Sequence, residues 1–152
     1  MDEVVFLTLE EILEIHSDQI SRYGGSPGIR DMGLLQSALA MPSMGIGESY
    51  FHNDIFEMAA AYLFHLTQNH PFVDGNKRVG VAAALVFLAL NGVELEADEG
   101  EVEMVARKVA QGNLDKTQAS EFLKDNCHNL EPIRSLEGPL PGGRGRTRRS
   151  QP

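Results

Sequence analysis

The sequence predicts an all-α domain, and three observations carry that reading. Apolar residues recur at helical spacing along most of the chain, and most of these stretches open on a residue that can cap a helix. Only Val93-Glu94-Leu95 resembles a strand, and it is too short to build a sheet. Thr8 is read as the first N-cap, with Glu11 completing a capping box and Leu7 placed to pack on Ile12. Leu9, Ile12, Leu13, His16 and Ile20 then share a face. Gly24 and Gly25 stop this helix, one of them expected in the left-handed conformation. After the loop Ser26-Pro27-Gly28, Asp31 caps a second helix carrying Leu34, Leu35, Ala38 and Leu39.

Residues 42–53 break the pattern with two glycines, a proline and aromatic residues, as in a flap-like mobile loop or short hairpin. Asp54 caps a helix through about residue 68, with Ile55, Phe56, Ala59, Ala60, Leu63 and Phe64 inward. The run from Val79 to Leu90 is read as a buried central helix ending at Asn91-Gly92. Asp98 with Glu101 opens another, burying Val102, Val105 and Val109 until Gly112-Asn113. Thr117 is expected to cap a last short helix with Phe122 and Leu123.

At 152 residues the chain is long enough for one self-supporting core. A single cysteine, Cys127, excludes an internal disulfide framework and favours a reducing compartment. The start, Met1-Asp2-Glu3-Val4, has no signal-peptide character, and the longest apolar run is 12 residues where a bilayer span needs roughly 20. A cytoplasmic protein away from membranes is expected. Residues 1–130 carry 8 Lys and Arg against 20 Asp and Glu, a balance of −12, whereas residues 131–152 carry 5 Arg against 2 Glu. The acidic body argues against direct DNA binding by the domain, because phosphate contacts dominate such affinity. A domain over residues 1–128 and a disordered basic Pro/Gly/Arg-rich tail over 129–152 are expected.

The run His70-Pro71-Phe72-Val73-Asp74-Gly75-Asn76-Lys77-Arg78 sets a base, an acid, a glycine turn and two cations between two helices. That is the chemistry of a phosphate site. Gly75 lets the backbone approach closely, and the N–H groups opening the next helix face an anion. Lys77 and Arg78 add positive charge, Asp74 can hold magnesium, and His70 can accept a proton near neutral pH. The same residues also fit a helix end before a proline, a connecting turn and two solvated cations. His65 lies five residues before His70 and off its face, which disfavours a paired-histidine metal site. His16, His52 and His128 read as core or surface histidines. Arg22 and Arg30 bracket the glycine loop, where pairing with the acidic body is the default.

The run from His70 to Arg78 resembles the signature of the Fic/Doc family, and more closely its death-on-curing (Doc) branch. AMP-transferring Fic enzymes usually read His-Pro-Phe-x-[Asp/Glu]-Gly-Asn-Gly-Arg-x-x-Arg. Here Lys77 follows Asn76, as in Doc, and Val81 stands at the second arginine position. The stretch from Ile20 to Asp31 is similar to the early loop of Doc-type toxins, and Asn91-Gly92-Val93 also fits. The resemblance spans about residues 6–125.

It implies a compact Fic/Doc-type bundle of about six helices around a buried central helix. It further implies His70 as general base and Asp74 as the acid organising magnesium or the reacting hydroxyl. Gly75, Asn76, Lys77 and Arg78 match phosphate-binding positions, and Phe72 matches a core anchor. A lysine in place of the glycine fills the space beside the histidine that an α-phosphate would use. Doc-type members are understood to bind the nucleotide in the reversed sense, so the γ-phosphate meets the target hydroxyl. The implied protein is a toxin of a type II toxin–antitoxin system: a Ser/Thr kinase that uses ATP and Mg2+ and phosphorylates a translation factor. Elongation factor Tu is the expected target, and a cognate antitoxin the expected restraint. Cis-inhibited Fic proteins carry [Ser/Thr]-x-x-x-Glu-[Gly/Asn]; ahead of Glu99-Gly100 and Glu137-Gly138 stand Leu95 and Ile133, so regulation is expected in trans. The alternatives are a Fic-type adenylyltransferase and a non-catalytic partner-binding helical module.

Overall fold

A computed structural model describes residues 3–47 and 49–130. It contains six helices: α1 (Leu9–Tyr23), α2 (Met32–Ala40), α3 (Ile55–Asn69), α4 (Asn76–Leu90), α5 (Glu99–Ala110) and α6 (Lys116–Asp125). Two antiparallel ribbons accompany them: β1 (Gly45–Ile46) with β2 (Ser49–Tyr50), and β3 (Val93–Leu95) with β4 (Cys127–Asn129). Most residues of the expected 129–152 tail, 131 onward, lie outside the described residues.

The helix starts follow from local chemistry. Thr8, Asp31 and Asp54 each accept the backbone N–H three residues on, from Glu11, Leu34 and Glu57. Asp115, not Thr117, caps α6: its carboxylate accepts from the Gln118 N–H at 2.7 Å while the Gln118 side chain accepts from the Asp115 N–H at 2.9 Å. This reciprocal box satisfies two donors at once and outcompetes a cap two residues later. At the end of α1, Gly24 has φ 88° and ψ 175°. Gly25 follows at φ 116°, so both glycines take the positive φ that favours glycine, although the ψ of Gly24 lies outside the left-handed helical region.

The most enclosed helix is α3, where Met58 through Leu63 are all buried, and it packs on α2, α4, α5 and α6. The expected central helix, α4, lies against it with one face inward, while Val86 and Leu90 are exposed. Small residues make the approach close. A Cβ at Gly80 would stand 2.9 Å from the Thr67 hydroxyl and 3.1 Å from the Leu63 carbonyl oxygen of α3. Tyr62 and Phe87, both fully buried, meet at 5.2 Å, and Phe6 stacks on Phe87 at 5.7 Å. Full burial of side chains of this size contributes about 1.5–3 kcal/mol each. The Tyr62 hydroxyl accepts the Leu7 N–H at 2.9 Å, so the ring's polar end is satisfied within the core.

The flap-like segment is a hairpin pairing Gly45 with Tyr50 and Ile46 with Ser49. Val93-Glu94-Leu95 does find a partner: β4 pairs with it in the register Val93–Asn129, Glu94–His128 and Leu95–Cys127. β4 therefore runs past residue 128, the expected domain end. Among the described residues no helix is long and apolar enough to cross a membrane.

Candidate active site

The α3–α4 junction turns on two residues with left-handed backbone. His70, at φ 52° and ψ 53°, ends α3, and Gly75, at φ 81° and ψ 19°, precedes α4. Among the described residues His70 is the only non-glycine with positive φ. Left-handed geometry costs a side-chain-bearing residue about 1–3 kcal/mol, so the surrounding contacts must impose it.

Those contacts come from three places. The chain at 28–31 runs beside the junction: Val73 N–H donates to the Gly28 carbonyl at 3.0 Å, and Arg30 and Asp31 N–H groups donate to the Pro71 carbonyl at 2.7 and 3.0 Å. The Arg30 side chain adds bonds to the carbonyls of His70 (2.6 Å) and Asn69 (3.0 Å). From α1, buried His16 stacks on Phe72 with ring centroids 3.9 Å apart, and its Nε2–H donates to the Asp74 carbonyl at 2.9 Å. Asn76 closes the turn from within: its side-chain oxygen accepts the Phe72 N–H and its amide donates to the Phe72 carbonyl, both at 2.9 Å. Phe72 is buried, as an anchor should be.

His70, Asp74, Gly75, Asn76, Lys77 and Arg78 all line one cleft of about 350 Å³, which Thr67 and Ala110 also border. Every candidate residue is thus brought together, but not in equal roles. Both polar ends of the Asn76 side chain are engaged by Phe72, so what Asn76 can offer a ligand is its backbone N–H. Gly75 gives α4 no side-chain cap, and the first N–H groups of the helix open at the cleft. Lys77 is exposed and has no ion-pair partner among the described residues. Arg78 is half-buried and donates to the Gln19 carbonyl at 3.3 Å, lying against the glycines. A Cβ at Gly25 would stand 2.6 Å from an Asp74 carboxylate oxygen and 3.1 Å from an Arg78 nitrogen.

The Asp74 carboxylate accepts the Ser26 N–H at 3.1 Å and the Gly75 N–H at 2.9 Å. These two bonds, then the charges of Arg78 and His16, hold its pKa below the usual aspartate value despite some desolvation. It is an anion near neutral pH, with a lone pair left on each oxygen. Among the described residues no group of three His, Cys, Asp or Glu converges on a metal position. One carboxylate suits magnesium, which takes most of its remaining ligands from phosphates and water.

His65 has a different fate. Its Nε2 accepts from Lys116 Nζ at 3.0 Å, and burial, then Lys116 and His52, push its pKa down to about 4. It is a neutral link between α3 and α6, away from the cleft. Arg22 pairs with Asp18 on α1, whereas Arg30 forms no ion pair among the described residues and holds backbone instead. His16, Arg30 and Ser26 had no assigned place in the site from sequence. His16 fell on the inward face of α1 and Arg30 and Ser26 in the glycine loop, but nothing local says which distant backbone they meet.

The Fic/DOC family model matches residues 6–88, which hold the α1 face, the glycine loop and the whole cleft motif. The chain is 32% identical over 115 residues to "Protein kinase doc" of Escherichia phage P1, covering 76% of this chain and 90% of that relative. It is 41% identical over 93 residues to "Toxin Doc" of Mycolicibacterium smegmatis, covering 61% of this chain and 69% of that one. With the family model spanning more than half of the chain and both relatives named Doc, this protein belongs to the Fic/DOC family.

Proposed function

We propose that this chain is a Doc-type toxin that transfers the γ-phosphoryl group of ATP to a Ser or Thr hydroxyl of a translation factor, arresting translation. The observation that carries this reading is Lys77. It stands in the cleft with His70, in the position where AMP-transferring relatives keep a glycine, and it has no ion-pair partner among the described residues.

In this reading the exposed His70 takes the proton of the incoming hydroxyl as its oxygen bonds to the γ-phosphorus. The bond from that phosphorus to the β–γ bridging oxygen breaks, and ADP leaves. The open N–H groups of α4, with Lys77 and Arg78, meet the charge on the phosphoryl oxygens. Asp74 would hold Mg2+ beside the phosphates, and the ion would offset their charge. Little covalent work falls to the protein, which suits a site built from positioned donors and a single base. Elongation factor Tu is the proposed target, and restraint is proposed to come from a cognate antitoxin whose amphipathic segment folds onto the domain.

ATP labelled at the α- or the γ-phosphate, incubated with the protein and elongation factor Tu, tests the reaction. Retention of γ label alone supports phosphorylation; retained α label means adenylyl transfer. Label at neither position, with growth arrest intact in His70→Ala, identifies a binding module. Lys77→Gly should weaken phosphorylation and admit some AMP transfer, and an unchanged product would sink the steric argument.

A further inference from the structure

Arg30 lies across the cleft motif's weakest point, the left-handed end of α3. The last carbonyls of a helix lack partners within it and form the negative end of its dipole. Arg30 takes the carbonyl of the last helical residue, that of the cap residue and the one that follows: Nη2 donates to Asn69 O at 3.0 Å, Nε to His70 O at 2.6 Å, and its own backbone N–H to Pro71 O at 2.7 Å. Its base is fixed, because the next residue, Asp31, caps α2 through the Leu34 N–H at 2.9 Å. The rest of the turn has independent supports in His16, Asn76 and the Val73–Gly28 bond. Arg30 is the side chain that grips His70 itself.

We propose that Arg30 is a positioning residue for His70, its planar fork holding the left-handed backbone that presents the imidazole to the cleft. This rests on the reading of His70 as the base. The forked donor is essential to it. A lysine carries the same charge on a flexible stem with one nitrogen, and cannot hold two adjacent carbonyls in fixed geometry. Displacing a catalytic base by about 1 Å costs on the order of 100-fold in rate, without necessarily affecting how substrate binds.

The test compares Arg30→Ala and Arg30→Lys with the unaltered protein, with ATP varied at fixed protein substrate. Both variants should lose kcat by roughly 10- to 100-fold with the KM for ATP within about twofold, since phosphate contacts are untouched. Guanidinium ion at low millimolar concentration should restore part of the activity of Arg30→Ala and none of His70→Ala. Full activity in Arg30→Lys, or kcat and KM worsening together, would overturn the proposal. A crystal structure of Arg30→Ala gives a readout free of activity: His70 should leave its φ of 52°. A His70 that keeps that angle refutes the clamp. If the unaltered protein transfers no phosphate, the functional reading fails, while the crystal structure still decides whether Arg30 sets the backbone.

Discussion

Two helix starts in this molecule, those of α4 and α6, meet the same physical problem in opposite ways. Each follows a turn from a preceding helix, and each begins with backbone N–H groups that have no partner inside the helix. At α6, Asp115 and Gln118 close the box reciprocally, and Lys116 ties the new helix to His65 of α3. At α4, Gly75 offers no side chain, and the turn is held from outside by Arg30 and His16 and from within by Asn76. The first arrangement maximises local stability. The second leaves donors and the positive end of a helix facing a cleft, beside an aspartate held ionised and a histidine held left-handed. The α4 start thus has no side-chain cap of its own, and the turn before it is braced by residues distant in sequence.

The sharpest way to break this comparison is His70→Ala. It should lower phosphoryl transfer by about 10²–10⁴-fold with the fold intact, as read by rate assay and circular dichroism. Retained transfer would remove the chemical meaning of the α4 start.

The α6 side of the comparison titrates. His65 is lowered to about 4 in the fold and is near 6.5 when unfolded, so between these values the unfolded chain binds more protons. Stability is therefore complete above about pH 6.5 and declines as pH falls toward 4. The decline is expected to be on the order of 2 kcal/mol in urea melts, after allowance for partial exposure. His65→Gln keeps an acceptor for Lys116 and should flatten that pH dependence; an equally steep profile in the variant would assign it to other groups.

Gly75→Ala addresses the α4 side. With φ at 81° and a Cβ 3.3 Å from both Arg78 and Ile20 side-chain atoms, it should cost about 1–2 kcal/mol of stability and reduce activity as well. Asp115→Ala should cost about 1 kcal/mol and leave transfer per folded molecule unchanged. If Asp115→Ala impaired transfer as Gly75→Ala does, the two starts would not be functionally distinct.

Much of this was legible because its causes are short-range. Thr8, Asp31 and Asp54 act on N–H groups three residues away, so the sequence places those helix starts directly. The Asp115–Gln118 box has the same range and could have been read from its spacing in place of Thr117. The motif from His70 to Arg78 is equally local, because one turn collects its base, acid and cations into a single cleft.

What tertiary structure alone decided has long-range causes. β3 is a strand because β4 pairs with it from more than thirty residues away, and three residues cannot announce a partner they meet only after two intervening helices. The Asn76 amide reads as a phosphate ligand until Phe72 is seen to occupy both its ends. His16 and Arg30 have no chemistry in their own neighbourhood that names Asp74 or His70 as partners. The sequence by itself determined which groups could do chemistry, since that is fixed by residue type and spacing along one turn. Only folding decided which residues hold them still, because hydrogen bonds to a distant backbone carry no sequence signature.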